Sequence, residues 1–434
     1  MLVFALFALL AADQPADDGL VEKSREFLAR MVAGKMEEAV APFDATMREK
    51  MPAADLTKIW EQLRTLHGDF RGAPQVRREK FQKYRLVFLT LEFQRGKLEM
   101  KVVWDEADKI AGLFVLPAGK YESPKYADPT KFESREVTIG RGLLNLPGSL
   151  TTPPGVGPFP AVVLIHGSGP HDRDETIGPN KPFRDLAEGL ASRGIAVLRF
   201  EKRTKAHPLD PVFLSGKITV KEETIDDAVA AFAVASQDSV VDSRRIFVLG
   251  HSLGGMLIPR LAQRLPEARG FISLAGSTRP LEDSVLMQVK YLTALDGKVD
   301  ADETKAIAEI EKQVALVKSK ELDAATPATG LPLGIPPAYW LDLRGYEPGE
   351  EAKRIKKPML FLQGERDYQV TLDDFAGWKK PLADRGDVVF KTYPQLNHLF
   401  HSGEGKSTPG EYAQAGHIEE EVVRDIAEWV GKLR

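Results

Sequence analysis

The first part of the chain changes from a helical to a strand pattern of apolar residues. Apolar side chains recur at helical spacing between residues 20 and 32 and again between residues 56 and 66, where the second helix ends near Gly68. From residue 97 to 104 apolar and charged residues alternate, which is strand spacing with one buried face. Strands are predicted at residues 85–93, 97–104 and 110–116. Helices followed by strands predict a small α+β domain over residues 20–117.

After a linker rich in proline and charge at residues 118–133, strands and helices alternate to the end of the chain. Apolar runs predict strands at residues 135–139, 143–151, 161–165, 195–199, 246–249, 271–274, 359–363 and 388–393. Helical patterns occur at residues 182–193, 220–235, 372–382 and 418–430. This alternation predicts an α/β domain over residues 134–434, whose mostly parallel sheet is covered by helices on both faces.

The alternation of strands and helices breaks between Gly276 and Pro358, over roughly eighty residues, which is more than a connection in such a sheet needs. Ile307, Ile310 and Val314 form part of a narrow helical stripe among Glu and Lys residues. The segment at about 278–357 is therefore predicted to be a mainly helical cap. Its aromatic residues and leucines fit either an apolar pocket wall or the cap's own core.

Residues 1–12 form an apolar run that is shorter than the ~20 residues of a membrane span. The run ends in small residues, a pattern typical of a secretory signal peptide, although its start carries no Lys or Arg. We predict export to the periplasm or the exterior, with a misassigned start or an uncleaved anchor as the alternatives. No other run in the sequence is long and apolar enough to span a bilayer, so the mature protein is expected to have no stable membrane span.

Composition narrows the possible function classes. The chain of 434 residues is 43% hydrophobic and 28% charged with a net charge of −4, so no strong field would recruit nucleic acid or an anionic membrane. It contains no cysteine, which excludes disulfides, thiolate nucleophiles and zinc–thiolate sites. No ligand spacing indicates a metal, and no cofactor is implied. Nucleic acid is not an expected partner, and the oligomeric state is not specified by the sequence.

The pattern Gly-x-Ser-x-Gly stands between a predicted strand and an apolar helical segment. A serine hydroxyl is a weak nucleophile and must be exposed beside a general base. Gly250 and Gly254 relieve crowding in a sharp turn from strand to helix, with His251 before the serine and Leu253 after it. Ser252 is therefore the predicted nucleophile of a nucleophile elbow.

A general base and its orienting acid are expected beyond the carboxyl ends of the strands. Asp367 follows the strand at 359–363, and His398 follows the strand at 388–393. Together with Ser252 they have the chain order of an α/β-hydrolase triad, in which the histidine takes the serine proton and the aspartate fixes the tautomer. The competing acids are Glu365, Asp373 and Asp374, and the competing bases are His401 and His417.

The third requirement is an anion site for a tetrahedral intermediate. The loop after the strand at 161–165 contains Ser168 and Gly169, and its small residues let the backbone approach a ligand. An N–H group of either residue can join that of Leu253 as an oxyanion hole. A tight turn alone would use the same glycines.

Several motifs together resemble those of α/β hydrolases of the bacterial esterase and prolyl-oligopeptidase-related kind. They are residues 166–176, 198–203 and 241–255 and the segments around Asp367 and His398. The resemblance extends from Ser134 to Arg434 and implies the α/β-hydrolase fold and a Ser-Asp-His triad. Thr204 departs from it, because similar hydrolases often have glycine after the Lys-Arg pair. By element order, residues 20–117 resemble the nuclear-transport-factor-like domains found in front of bacterial hydrolases.

These features predict a secreted serine hydrolase that cleaves small-molecule carboxylic esters through an acyl-enzyme on Ser252. A serine peptidase, an acyltransferase or a thioesterase would use the same triad, and these remain alternatives. A non-catalytic binding protein of this fold would typically lack one member of the triad, whereas this chain has a candidate for all three. The acyl and alcohol groups of the ester are not specified by the sequence.

Overall fold

The computed structural model describes residues 19–117, 121–140 and 142–433. These residues divide into two compact units, of which the smaller holds residues 19–117 together with Pro409–Ala415. This division differs from the sequence-based boundaries, which place Pro409–Ala415 in the α/β domain. The predicted signal peptide at residues 1–12 and residues 118–120 of the predicted linker lie outside the described residues. Export therefore stays a prediction.

In the smaller unit, four helices precede a four-stranded antiparallel sheet. The helices are α1 (Leu20–Val32), α2 (Met36–Ala39), α3 (Ala45–Lys50) and α4 (Ala53–His67). The strands, in their order across the sheet, are β1 (Phe70–Phe81), β2 (Tyr84–Phe93), β3 (Gly96–Trp104) and β4 (Ile110–Pro117). Phe27, Leu56 and Trp60 of the helices share one apolar core with Leu89 and Met100 of the sheet. The predicted helix-then-strand arrangement is confirmed.

Strand β1 is not among the strands that the hydrophobic pattern predicts. It lies at the edge of its sheet and pairs with β2 from Phe70↔Phe93 to Phe81↔Tyr84. Its side chains are exposed or half-buried throughout, so its sequence shows no apolar alternation. Charged side chains on an edge strand also discourage pairing with other chains.

The larger unit is built on an eight-stranded sheet. Its strands are β5 (Glu133–Ile139), β6 (Leu146–Thr152), β7 (Phe159–Ile165), β8 (Ala196–Phe200), β9 (Val241–His251), β10 (Gly270–Leu274), β11 (Met359–Gly364) and β12 (Val388–Tyr393). Their order across the sheet is β12-β11-β10-β9-β7-β8-β6-β5. The pairs β5–β6 and β6–β8 are antiparallel, and the remaining pairs are parallel.

Helices bury both faces of this sheet. Outside the long insertion they are α5 (Pro182–Ala191), α6 (Arg203–Ala206), α7 (Pro211–Leu214), α8 (Asp226–Gln237), α9 (Leu253–Met256), α10 (Ile258–Arg264), α15 (Leu372–Lys379) and α16 (Glu420–Lys432). Val163 packs in one core with Leu261 of α10, and its neighbour Val162 packs in the other core with Leu186 of α5. Successive strand residues thus point to opposite faces. The predicted mostly parallel sheet with helices on both faces is confirmed.

The insertion between β10 and β11 is mainly helical, as the sequence predicts. It contains α11 (Leu281–Thr293), α12 (Ala301–Lys318), α13 (Pro337–Leu343) and α14 (Pro348–Ala352). Asp300 and Glu303 form a reciprocal capping box that starts α12. Trp340 packs with Val317 and Leu331 in a small core of the insertion's own. Across the described ranges, no helix is both long enough and apolar enough to cross a membrane.

Candidate active site

Ser252 lies in a sharp turn between β9 and α9. Strand β9 ends at His251, α9 begins at Leu253, and the Ser252 backbone is held at φ 52° and ψ −114°. A positive φ at a non-glycine residue costs about 1–3 kcal/mol, and such strain concentrates at functional sites. The Ser252 side chain is half-buried, so it remains partly accessible.

Two glycines make this turn possible. A Cβ atom on Gly250 would lie 2.1 Å from the carbonyl oxygen of Gly254, and a Cβ atom on Gly254 would lie 2.4 Å from that of Ile165. Both distances are far inside van der Waals contact, and the close-packed interior leaves no room for a side chain. The Gly-x-Ser-x-Gly pattern is therefore imposed by the close approach of strand, turn and helix.

Asp367 and His398 meet at the edge of the sheet that carries the carboxyl ends of β11 and β12. His398 Nδ1 lies 2.6 Å from Asp367 Oδ2, and both side chains are buried. The other carboxylate oxygen, Oδ1, accepts the backbone N–H groups of Gln369 at 2.8 Å and Val370 at 3.0 Å. A carboxylate fixed in this way keeps the proton of His398 on Nδ1 and leaves Nε2 able to accept.

His251 connects the serine turn to the loop that carries His398. Its Nε2 donates to the carbonyl oxygen of His398 over 3.1 Å, and the two imidazole rings are 4.8 Å apart between centroids. Ser252, Asp367 and His398 thus share one end of the sheet. Within residues 142–433 of the structure, no hydrogen bond joins Ser252 Oγ to the His398 ring. In enzymes without substrate such contacts are often long.

The competing acids have other surroundings. Asp374 caps α15, where its Oδ2 accepts the N–H of Thr371, and it forms an ion pair with Arg279 at 2.8 Å. Glu365 Oε1 accepts the hydroxyl of Thr392 at 2.7 Å. Asp373 is exposed on the first turn of α15. Among the four candidate acids, Asp367 is the one in contact with His398.

The competing bases also lie in other environments. His417 Nδ1 is 3.0 Å from Asp185 Oδ1, and this hydrogen bond raises the pKa of His417 above its ordinary value. His401 is buried, and burial lowers its pKa to about 4. Neither histidine contacts Asp367 within the described part of the chain.

Two buried charged side chains hold the loop that follows β7. The N–H of Gly167 donates to Glu175 Oε1 over 2.6 Å, and its carbonyl oxygen accepts Lys202 Nζ over 2.7 Å. The C=O and N–H of a trans peptide point in opposite directions, so the contact with Lys202 turns the N–H of Ser168 away from that lysine.

The same loop lies against the nucleophile turn. A Cβ atom on Gly167 would lie 3.1 Å from the Cβ of Ser252. The N–H groups of Ser168, Gly169 and Leu253 have no hydrogen-bond acceptor among the described residues. Unpaired N–H groups close to a nucleophile are the donors that an oxyanion hole needs.

A buried ion pair and a hydrogen bond connect this loop to the helical insertion. Lys202 is 2% exposed and lies 3.2 Å from Glu223 Oε1, while Glu223 Oε2 accepts the hydroxyl of Tyr339 at 2.7 Å. Glu223 lies in a single π-helical turn, Lys221–Ile225, at a place where the sequence predicts continuous α-helix. Such turns recur at functional sites.

A cavity of about 570 Å³ opens beside Ser168 and Gly169. Its apolar lining includes Phe213, Ile218, Val285, Leu333, Ile335 and Tyr339. The volume suits a small organic molecule. The apolar residues of the insertion were expected to form either a pocket wall or the insertion's own core, and the structure contains both. Leu333 and Tyr339 line the cavity, whereas Leu331 and Trp340 belong to the insertion's own core.

Two residues near this site give no signal in the sequence, and a third departs from the pattern of similar hydrolases without indicating a role. Glu175 lies inside the motif at 166–176 but carries no signal of burial, and Glu223 stands among other charged residues. Thr204, where similar hydrolases often have glycine, lines the cavity. Within the described ranges, no group of three or more His, Cys, Asp or Glu side chains is arranged to hold a metal ion.

Comparison with known proteins defines the class of this chain. Residues 162–415 match the α/β hydrolase family, which is more than half of the chain, and the chain therefore belongs to that family. Residues 24–113 match a family described as a protein of unknown function, DUF3887. The predicted module in front of the hydrolase domain is thus confirmed, and its nuclear-transport-factor-like character stays a prediction.

A sequence relative that covers almost the whole chain points to ester hydrolysis. Esterase EstD of Thermotoga maritima is 41% identical over 408 residues, which cover 94% of each chain. A monoacylglycerol lipase of Mycolicibacterium smegmatis is 25% identical over 264 residues, covering 58% of this chain and 86% of the lipase. The solved Pyrococcus furiosus esterase Pf2001 matches with a TM-score of 0.45 at 16% identity, covering 73% of this chain and 95% of the esterase. The protein is a carboxylic ester hydrolase.

Proposed function

We propose that this protein hydrolyses small-molecule carboxylic esters through an acyl-enzyme on Ser252, with His398 as general base and Asp367 as its orienting acid. The observation that carries the proposal is the 2.6 Å contact between His398 Nδ1 and Asp367 Oδ2. It lies at the sheet end that also holds Ser252 in a strained turn. A nucleophile, a base and an orienting acid at one place are the components of covalent acyl transfer.

In the first half of the reaction, Ser252 Oγ attacks the ester carbonyl carbon and its proton passes to His398 Nε2. The Asp367 carboxylate stabilises the resulting imidazolium. The negative oxygen of the tetrahedral intermediate accepts the N–H of Leu253 together with that of Ser168 or Gly169. The intermediate collapses when the C–O bond to the alcohol breaks and the alcohol takes the proton from His398.

In the second half, water attacks the acyl-enzyme. His398 Nε2 takes a proton from the water, a second tetrahedral intermediate forms, and the bond between the acyl carbon and Ser252 Oγ breaks. Ser252 recovers its proton from His398, and the carboxylic acid leaves. No group other than these side chains, the N–H donors and water is needed for the atom balance.

The cavity beside the oxyanion loop supports an apolar acyl or alcohol group in the substrate. Its walls are mainly apolar side chains, and its volume of about 570 Å³ is that of a site for a small molecule. The names of the two relatives, an esterase and a monoacylglycerol lipase, also support ester substrates.

A graded series of p-nitrophenyl acyl esters tests this proposal, with wild type and Ser252→Ala assayed side by side. Ser192→Ala is a matched control, because Ser192 is also half-buried but lies at the end of α5. We expect turnover that peaks at one acyl length, persists in Ser192→Ala and disappears in Ser252→Ala. Equal activity of wild type and Ser252→Ala on every ester would contradict the proposal. Peptide p-nitroanilides and acyl thioesters, run in parallel, separate the peptidase and thioesterase alternatives.

A further inference from the structure

Two buried charged side chains next to the candidate triad take no part in the proposed chemistry. Glu175 is 1% exposed and His251 is 3% exposed. Glu175 Oε2 lies 2.9 Å from His251 Nδ1, so the two form an ion pair, although the geometry is not that of a hydrogen bond. Burying two charges is costly even when they are paired, so the presence of this pair beside the nucleophile calls for a functional reason.

The partners of His251 fix its protonation state. Its Nδ1 faces the Glu175 carboxylate and its Nε2 faces the carbonyl oxygen of His398, and both partners only accept hydrogen bonds. Both contacts therefore favour the imidazolium form of His251, with a proton on each nitrogen. Burial alone would lower the pKa of His251, but the Glu175 carboxylate raises it above its ordinary value. Burial would raise the pKa of Glu175, but the charge of His251 lowers it to about 2.

The pair joins the two loops that flank the nucleophile. On one side, Glu175 Oε1 accepts the N–H of Gly167, the residue that precedes the oxyanion loop donors, over 2.6 Å. On the other side, His251 Nε2 donates to the carbonyl oxygen of His398 over 3.1 Å. Glu175 itself is held at φ 52°, a strained backbone conformation. One ionic link therefore extends from the anion site to the loop of the proposed general base.

We propose that Glu175 and His251 are positioning residues, which hold the oxyanion loop and the His398 loop at a fixed separation around Ser252. The inference rests on the proposed function of Ser252 and His398. A role in fold stability alone would leave the turnover of folded molecules unchanged. A positioning role lowers kcat in the folded enzyme, because a displacement of about 1 Å can cost about 100-fold in rate.

The test compares Glu175→Gln and Glu175→Asp in the full chain, on the p-nitrophenyl ester that wild type turns over fastest. Gln keeps an acceptor for the N–H of Gly167 but removes the charge that pairs with His251, whereas Asp keeps the charge on a shorter side chain. We expect Glu175→Gln to lower kcat by about 10- to 100-fold while KM changes by less than about threefold. Glu175→Asp should lower kcat less than Glu175→Gln does.

A double-variant comparison tests whether the two residues act as one unit. If they do, the combined variant Glu175→Gln/His251→Gln has a kcat within about threefold of the more impaired single variant, because its two effects are not additive. Losses in kcat that multiply in the double variant would show that each residue acts alone, and would overturn the ionic link.

Glu188→Gln is the matched control. Glu188 is a 4% exposed glutamate on α5, ion-paired with Arg184 at 2.7 Å. Its substitution should lower the unfolding temperature and leave kcat unchanged. Folded Glu175→Gln with wild-type kcat, or with no greater loss than Glu188→Gln, would overturn the inference. If Glu175→Gln does not fold, His251→Gln is judged by the same criterion, and failure of both to fold would assign the pair a purely structural role instead.

Ser252→Ala, assayed on the same ester, keeps the two proposals apart. Hydrolysis that persists in Ser252→Ala contradicts the proposed function. Hydrolysis that depends on Ser252 but is unaffected in folded Glu175→Gln contradicts the positioning role alone.

Discussion

Replacing Asp367 by Asn tests how the carboxylate controls His398. Asp367 Oδ1 accepts two backbone N–H groups, from Gln369 and Val370, and Oδ2 faces His398 Nδ1 at 2.6 Å. In the Asp367→Asn variant the amide oxygen must take the Oδ1 position, because an NH₂ group there would face two backbone donors. The NH₂ group is thereby placed against Nδ1 of the histidine.

This arrangement reverses the tautomer of His398. An NH₂ group donates and does not accept, so Nδ1 has to accept and the imidazole proton moves to Nε2. A histidine that carries its proton on Nε2 cannot take the proton of Ser252. In triads of this kind the wrong tautomer lowers kcat by about 10⁴-fold, which corresponds to about 5 kcal/mol of activation free energy. Gln363 Nε2, which also contacts Oδ2, keeps the carbonyl oxygens of two other residues, so we expect the fold to persist.

The assay is hydrolysis of a p-nitrophenyl ester at saturating concentration near neutral pH, with folding checked by circular dichroism. Asp374→Asn is the matched control, because Asp374 is 1% exposed and forms an ion pair with Arg279. We expect this control to lose about 2 kcal/mol of stability and to keep kcat within about threefold. A folded Asp367→Asn variant with more than about one tenth of the wild-type kcat would refute the tautomer argument.

Three further predictions concern the turn, the cavity and pH. Gly250→Ala should lower the free energy of unfolding, measured in urea, by at least about 3 kcal/mol, because the added Cβ would lie 2.1 Å from a carbonyl oxygen. Gly431→Ala, whose Cβ meets no atom within 4 Å, should not lower the free energy of unfolding. Val285→Trp should fill part of the cavity and shift the preferred p-nitrophenyl ester to a shorter acyl chain, and an unchanged chain-length profile would exclude Val285 from the acyl pocket. The His251 charge lowers the pKa of Glu175 from 4.5 to about 2, so this carboxylate stabilises the fold above its ordinary pKa and the stabilisation is lost as the pH falls toward 2. The difference in unfolding free energy between wild type and the Glu175→Gln/His251→Gln variant, which lacks both titrating groups, should therefore shrink between about pH 5 and about pH 3, and a difference that grows would contradict the ion pair.

The central strands of the larger unit were predictable because burial determines their composition. Strand β10 begins one residue before the predicted range, at Gly270, and β11 extends one residue beyond its predicted range, to Gly364. Parallel strands with helices on both faces need continuous apolar runs, and such runs are visible in sequence. Edge strand β1 and the short helices α2 and α3 were not predictable, because few of their side chains are buried and packing decides their conformation.

The candidate triad was predictable because its chemistry restricts residue type, spacing and chain order together. Ser252, Asp367 and His398 are brought to one end of the sheet by strands that the sequence indicates. Glu175 and Glu223 could not be found in this way, because a charged residue in a polar segment is usually exposed. Only the folded chain places them beside His251 and Lys202 and so explains their burial.

Labelling with a fluorophosphonate, which reacts covalently with an activated serine, tests the central claim most directly. We expect intact-protein mass spectrometry to show a single adduct, peptide mapping to place it on Ser252, and ester hydrolysis to fall in proportion to labelling. Ser252→Ala should remain unlabelled under the same conditions. An adduct on another residue, or full hydrolysis by protein labelled at Ser252, would contradict the acyl-enzyme mechanism.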